Sequence, residues 1–195
     1  MPDWIALGDR AIRFPRPADS SPRALLKALR AWPGVMDIVM TREDVAVYFD
    51  AEPHVDPGAL DRLGVLRDVA EPPRTVELPA TYDGPDLTDV ARAAALSEDQ
   101  LIRLHASATY EVESIGFAPG FAYLTGLDPR LHLARRSTPR PRVPAGTIAV
   151  AGGYTGVYPF DSPGGWHLIG RVVGVRMFSQ DGALLHPGDR VRFVP

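Results

Sequence analysis

The first third of the chain switches repeatedly between the two-residue apolar period of a strand and the wider apolar spacing of a helix. Leu25, Leu26 and Leu29 lie at helical spacing after Ser20-Ser21-Pro22, which offers a cap and an early proline. The predicted elements are a hairpin over residues 4–14, this helix, strands over 35–40 and 45–49, a second helix over 57–66 and a strand over 75–78. Their order, β-α-β-β-α-β, is typical of a ferredoxin-like α+β sandwich.

The remainder of the chain has few helical stretches and many short apolar runs. Asp86 is expected to cap a helix over residues 87–94, and Ser97 with Gln100 has the spacing of a capping box for the next helix. Strands are predicted over residues 110–115, 147–151, 156–158, 167–169, 172–178 and 191–194, with late turns at Gly182 and over 187–189. Many short strands separated by turns predict a closed or nearly closed barrel.

A proline pair separates these two patterns. Glu71-Pro72-Pro73-Arg74 has the composition of a semi-rigid connection. The sequence therefore predicts an α+β ferredoxin-like domain over residues 1–72, followed by a mainly-β barrel domain over residues 73–195.

The composition is that of a globular protein and indicates neither a nucleic-acid-binding nor a membrane protein. The 195 residues are 45% hydrophobic and 23% charged, as in a soluble globular protein, and the net charge of -3 favours neither nucleic acid nor a membrane as a partner. The absence of cysteine excludes disulfides and thiolate chemistry and fits a cytoplasmic location. No stretch has the length and apolarity of a membrane span.

Familiar catalytic motifs are missing from the chain. It has no phosphate-binding loop of the GxxxxGK[ST] type, no GxSxG elbow and no HExxH zinc motif. The five histidines do not fall at the spacing of metal ligands, so no metal site is predicted. A single-chain hydrolase or nucleoside triphosphatase of a common motif class is therefore not supported.

The glycine-rich passage from Gly116 to Gly170 is the strongest candidate for a site, because glycine permits tight turns and close approach of the backbone to a ligand. It contains a basic cluster formed by Arg130, Arg135, Arg136, Arg140 and Arg142. Guanidinium groups suit carboxylate or phosphate. A solvated loop, or ion pairs with nearby acids, would explain the same cluster.

Two further groups are candidates for function. The aromatic residues of the second half are expected mostly in the barrel core, with some lining a pocket or a partner surface: Phe117, Phe121, Tyr123, Tyr154, Tyr158, Phe160 and Trp166. His105, near the end of its predicted helix, is either a hydrogen-bonded structural histidine or a proton carrier.

Two long segments carry a family resemblance: GFAPGFAYL, and RRSTPRPRVPAGTIAVAGGYTGVYPFDSPGGWHLIG. With them the chain resembles the bacterial family of the 5-oxoprolinase B subunit, also called allophanate hydrolase subunit 1, which includes the sporulation kinase inhibitor KipI. The family is related to the carboxyltransferase domain, subdomains C and D, of urea amidolyases. The resemblance is strong over the second half and looser over the first. It implies a small α+β domain followed by a cyclophilin-like β-barrel.

The resemblance also implies a function. It indicates an intracellular component of an ATP-dependent hydrolase that converts 5-oxoproline to glutamate and is inactive alone. Its implied partners are the 5-oxoprolinase C subunit, which is also called allophanate hydrolase subunit 2, and the LamB/YcsF-type A subunit. ATP would be shared with a partner, and Mg²⁺ would be bound through it. Two alternatives stay open: a KipI-like inhibitor of a histidine kinase, and hydrolysis of allophanate or a related amide. Peptidyl-prolyl isomerisation would rest on fold analogy alone.

Site residues follow from the resemblance position by position. The candidate catalytic residues are His105 as proton carrier and Arg135, Arg136 and Arg140 as cationic groups. The candidate residues for binding substrate or partner are Phe117, Pro119, Gly120, Phe121, Tyr123, Gly153, Tyr154, Thr155, Gly156, Tyr158, Gly164, Gly165 and Trp166. Tyr154 stands where the family usually has glutamine, and this leaves the substrate open.

Overall fold

The computed structural model describes residues 4–18, 20–63, 66 and 73–195, apart from the side chain of Pro57. It divides into two compact units, Met1–Pro72 and Pro73–Pro195. Glu71 and Pro72 of the predicted joint lie outside the described residues, as do residues 64 and 65 of the second predicted helix.

The first unit is an antiparallel sheet with two helices. Its elements are β1 (Ile5–Ala6), β2 (Ala11–Pro15), α1 (Pro22–Arg30), β3 (Val35–Met40), β4 (Asp44–Phe49) and α2 (Pro57–Leu63). The sheet order is β1-β2-β4-β3, and every neighbouring pair is antiparallel. The predicted start of α1 is confirmed, because the side chain of Ser21 accepts the Ala24 N–H at 3.1 Å and Pro22 occupies the first turn.

Alternating positions of the sheet build the core of this unit. Ile12 and Phe14 of β2 and Val45 and Val47 of β4 are buried, as strand periodicity requires. Leucines from both helices cover them: Leu25, Leu29, Leu60 and Leu63. The small α+β unit expected from the sequence is therefore present.

The ferredoxin-like arrangement is not confirmed. It needs residues 75–78 as the last strand of the first sheet, but β5 (Thr75–Thr81) belongs to the second unit. β5 pairs in parallel with β15 (Arg190–Val194) and antiparallel with β12 (His167–Val172). The strand was correctly predicted and its partners were not, because its pairing is with segments far along the chain.

The second unit is a closed barrel with two helices. Its remaining elements are α3 (Leu87–Ala93), α4 (Glu98–Ser107), β6 (Tyr110–Ile115), β7 (Ala122–Thr125), a 3-10 helix (Pro129–Leu131), β8 (Arg140–Val143), β9 (Thr147–Ala151), β10 (Tyr154–Val157), β11 (Ser162–Gly164), β13 (Phe178–Ser179) and β14 (Gly182–Ala183). The barrel order is β10-β7-β6-β15-β5-β12-β9, and β8–β11 and β13–β14 form separate pairs. The predicted barrel is confirmed.

Local sequence signals predicted some of the helix and strand boundaries in this unit correctly. The capping box at α4 is confirmed, since Ser97 accepts the Gln100 N–H and the Gln100 side chain accepts the Ser97 N–H. The predicted strand over 172–178 is wrong, because β12 ends at Val172 and β13 begins at Phe178. Four strands were missed: β7, β8, β11 and β14, the last of which lies where only a turn was predicted.

The two faces of β9 pack into different cores. Ile148 and Val150 join the main core, which draws on all the barrel strands and both helices. Ala149 and Ala151, on the opposite face, join a second cluster with Phe121, Tyr158, Trp166, Val143 and Leu168. Most of the predicted aromatic site residues lie in or beside this second cluster. No helix among the described residues is long and apolar enough to cross a membrane.

Candidate functional site

The side chain of Asp86 collects the basic residues of the glycine-rich passage. Its Oδ1 accepts hydrogen bonds from Arg140 Nη2 at 2.6 Å and from Arg136 Nη1 at 3.3 Å, and its Oδ2 accepts the Leu168 N–H at 2.7 Å. Burial acts to raise the pKa of this carboxyl, but the bonds from Arg140 and Leu168 outweigh it, so the pKa of Asp86 lies below its usual range. Asp86 is therefore an ionised, buried acid.

This use of Asp86 corrects the sequence prediction. Asp86 does stand at the N-cap position of α3, but its side chain makes no capping hydrogen bond there. No local signal in the sequence indicates that its carboxylate instead binds arginines 50 and 54 positions away.

Backbone hydrogen bonds fix the positions of the two arginines. Arg140 begins β8, where it pairs with Gly164 of β11. The Arg136 N–H donates to the Gly165 oxygen at 2.8 Å. The Gly164-Gly165 segment therefore runs directly beside the arginine segment, and the structure brings four of the predicted site residues together.

Some N–H donors of these arginine side chains have no acceptor among the described residues. Within the described residues, Arg136 Nε and Arg140 Nη1 are buried and have no hydrogen-bond partner. Arg135 is exposed, and among the described residues no carboxylate pairs with it. Two guanidinium groups thus bind one carboxylate, and Arg135 adds a third positive charge to the same segment, so donors and net positive charge remain for a bound anion.

The other arginines of the basic cluster are ion-paired at the surface. Arg130 donates from Nε to Asp128 Oδ1 at 2.9 Å, and Arg142 donates from Nε to Asp161 Oδ2 at 2.8 Å. For these two residues the structure supports ion pairing with nearby acids, one of the two explanations that composition left open.

Tyr158 and Trp166 form the centre of the aromatic cluster together with Phe121, and all three are buried. Their rings meet edge to face: Phe121 lies 5.3 Å from Tyr158 and 5.4 Å from Trp166, between centroids. Gly156 packs against them, because a Cβ there would lie 3.1 Å from the Phe121 ring and 2.9 Å from the Ala122 oxygen. Only glycine fits at position 156 without displacing the cluster.

The loop before β7 lies at the edge of this cluster. Phe117 is 59% exposed, and its ring lies 5.3 Å from that of Phe121. Its φ of 68° is an outlier for a bulky residue, which marks a strained backbone. Pro119 is exposed, and Gly120 is buried against Phe178.

Tyr123 and Tyr154 are half-buried at the other side of the cluster, with their ring centroids 5.6 Å apart. Tyr154 Oη donates to Glu113 Oε2 at 2.6 Å. Gly153 lies against the ring of His132. The tyrosine that replaces the family's usual glutamine is thus held by a carboxylate from β6.

His105 lies in the main core and is fully buried. Thr155 Oγ1 donates to the Ala149 oxygen at 3.1 Å, so it accepts the proton of His105 Nε2 at 2.9 Å. Nδ1 therefore accepts the Tyr82 O–H at 2.7 Å. Burial lowers the pKa of His105 to about 3 and keeps the ring neutral. Because both nitrogens are engaged, this geometry favours the structural role, and the proton-carrier role stays a prediction.

No group of three or more histidine, aspartate or glutamate side chains in the described part of the chain is arranged to hold a metal ion.

The chain is similar to known proteins over most of its length. The model of the family described as carboxyltransferase domain, subdomain C and D, matches residues 7–184. The chain is 48% identical over 128 residues to the 5-oxoprolinase B subunit of Escherichia coli O157:H7, an alignment that covers 63% of this chain and 58% of that protein. It is 35% identical over 216 residues to the 5-oxoprolinase B subunit of Bacillus subtilis (strain 168), an alignment that covers 96% of this chain and 90% of that protein.

A solved structure adds a comparison in three dimensions. The crystal structure of TTHA0988 matches with a TM-score of 0.81 and 40% sequence identity, over 95% of this chain and 40% of that one. The chain therefore spans less than two thirds of the E. coli relative and less than half of the TTHA0988 chain.

Proposed function

The chain belongs to the carboxyltransferase domain, subdomain C and D, family, and from this membership we propose that it is one component of a multi-subunit hydrolase of the 5-oxoprolinase type. The proposed reaction converts 5-oxoproline, ATP and water to glutamate, ADP and phosphate. The proposed partners are the C subunit and the LamB/YcsF-type A subunit of 5-oxoprolinase, in the cytoplasm. Relatives that carry the name of the B subunit support membership in a multi-subunit system.

The observation that supports this function best is the pair of arginines held by Asp86, next to the exposed Arg135. Asp86 orients Arg136 and Arg140, and each keeps one buried donor without a partner among the described residues. Arg135 adds an exposed guanidinium. Such a group suits an oxyanion, either the carboxylate of 5-oxoproline or a phosphate of ATP.

The residues present fit the anionic part of ATP and do not by themselves fit a metal. When bound, ATP would supply a phosphoryl group for the lactam oxygen, which would activate the carbonyl carbon for attack by water. In this chain Arg135, Arg136 and Arg140 would hold the anion, and the Gly164-Gly165 backbone would line it. Mg²⁺ is proposed to be held through a partner protein.

Reconstitution tests the proposal. The chain is co-purified with the A and C subunits of 5-oxoprolinase. Glutamate release is measured with and without ATP, for the complex and for the isolated chain. ATP-dependent release by the complex alone supports the proposal. A KipI-like regulator or an allophanate hydrolase predicts no release from 5-oxoproline, and a complex without this activity would overturn the assignment.

A further inference from the structure

We propose that the hydroxyl of Tyr158 donates a hydrogen bond to the anion that the arginine cluster binds. This inference rests on the proposed function and adds a neutral donor to the same site. Tyr158 is 2% exposed, and its backbone is fixed on both sides, because its N–H donates to the Thr147 oxygen at 3.0 Å and its oxygen accepts the Gly146 N–H at 2.7 Å.

The hydroxyl lies against the segment that also positions the arginines. A Cβ at position 164 would be 2.1 Å from the Tyr158 hydroxyl oxygen, so the absence of a side chain at Gly164 is what admits it. Gly164 is paired with Arg140, and the Arg136 N–H donates to the Gly165 oxygen. The phenol oxygen and the backbone of both arginines therefore lie beside the same two glycines.

The hydrogen bonds of this hydroxyl leave its proton available. Burial raises the pKa of Tyr158, and the Trp166 N–H, which lies near the phenol oxygen, has a smaller effect that acts to lower it. Within the described part of the chain, no acceptor takes the Tyr158 proton. A buried hydroxyl usually donates as well as accepts, so an unused proton at this position indicates an acceptor that binds there.

The charges around Tyr158 favour an anion as that acceptor. Arg135 and Arg140 both lie near enough to act electrostatically on the hydroxyl. An oxyanion bound by these guanidinium groups has further lone pairs that a neutral O–H can satisfy. Phe117, which is 59% exposed, contacts the same ring at 6.1 Å between centroids, so the ring lies one side chain away from solvent. The ligand class is therefore a carboxylate or phosphate anion.

The test removes this hydroxyl alone. Tyr158→Phe keeps the ring contacts, and Tyr110→Phe is the matched control, because it removes a buried hydroxyl that donates to the His105 oxygen at 2.8 Å. 5-Oxoproline and inorganic phosphate are titrated separately into the isolated 195-residue chain by calorimetry at low salt. We expect Tyr158→Phe to weaken binding of at least one of these probes roughly tenfold or more, since a hydrogen bond to a charged group is lost. Tyr110→Phe should bind like the wild type and lose thermal stability instead.

A second measurement applies to the wild-type sequence. The chain is labelled with 3-fluorotyrosine, and the ¹⁹F resonance of Tyr158 should shift when the anion binds, whereas that of Tyr110 should not. Equal affinities in wild type and Tyr158→Phe, an unmoved Tyr158 resonance, or no binding of either probe would overturn the inference. If the complex releases no glutamate but anion binding still depends on Tyr158, the proposed function fails and this inference stands.

Discussion

Asp86 and Arg140 are joined by a 2.6 Å hydrogen bond between Oδ1 and Nη2, which ties the start of α3 to the start of β8. Only 4% of the aspartate side chain and 23% of the arginine side chain are exposed. Because Asp86 also binds Arg136 and the Leu168 N–H, one carboxylate orients two arginines while neutralising one charge. The arrangement keeps net positive charge next to the Gly164-Gly165 segment.

Replacement of Asp86 by asparagine should destabilise the second unit and disperse the arginines. The loss should be about 1.5–3 kcal/mol in the free energy of unfolding, since charged hydrogen bonds are lost and two arginines lose their buried partner. Urea denaturation measures it. Asp89→Asn is the control: its pair with Arg92 is exposed on both sides, so its loss should stay below about 1 kcal/mol. Equal losses in the two variants would contradict the anchoring role of Asp86.

The buried His105 should make the second unit less stable in mild acid. Its pKa is about 3 in the folded protein and near 6.5 when unfolded, so the unfolded chain binds a proton between these values while the folded protein does not. Stability is therefore fully present above about pH 6.5 and is lost as the pH falls towards 3. Between pH 7 and pH 5 the free energy of unfolding should fall by roughly 2 kcal/mol.

Denaturation curves at the two pH values measure this slope against a His105→Gln variant. Glutamine does not titrate. The fall in unfolding free energy between pH 7 and pH 5 should therefore be about 2 kcal/mol smaller in the variant than in the wild type, whatever the absolute stability of the variant. Tyr82 and Tyr110, which contact the ring, do not contribute, because burial raises the pKa of both. Equal slopes in the two proteins would show that the histidine is not held neutral.

Ala95 should be replaceable by glycine with a gain in stability. It follows α3 with a φ of 55°, while its N–H donates to the Arg92 oxygen at 3.1 Å and the Leu96 N–H donates to the Ala91 oxygen at 2.9 Å. This is a Schellman C-terminus, where glycine normally occupies the left-handed position. Ala95→Gly should raise the free energy of unfolding by roughly 0.5–1 kcal/mol. Ala93→Gly, inside the helix, should lower it by about 1 kcal/mol.

Local chemistry in the sequence was enough to predict caps, turns and most strands. Ser97 and Gln100 satisfy each other within one turn, so their spacing alone predicts the helix start. Thr75–Thr81 has a clear strand pattern, but nothing within the segment indicates that it pairs in parallel with Arg190–Val194. The ferredoxin-like prediction is not confirmed at that step, because pairing between distant segments is decided by tertiary packing.

In the candidate site, too, contacts between distant residues could not be predicted from the local sequence. The arginines and Tyr158 could be named from the sequence and the family resemblance, whereas Asp86 could not, because it is also a good capping residue by type and position. Its actual partners lie 50 and more positions away. The unused proton of Tyr158 follows only from contacts with Gly164 and Trp166.

The anion site is tested most directly by Arg135→Ala in the reconstituted complex. Arg135 is exposed and, among the described residues, has no carboxylate partner, so its removal should leave the fold and the melting temperature almost unchanged. Arg92→Ala, which removes a surface arginine of α3, is the matched control. We expect ATP-dependent glutamate release to fall roughly a hundredfold in Arg135→Ala and to stay at the wild-type rate in Arg92→Ala. A wild-type rate in Arg135→Ala, measured in a complex that is itself active, would contradict the assignment of the arginine cluster as the anion site.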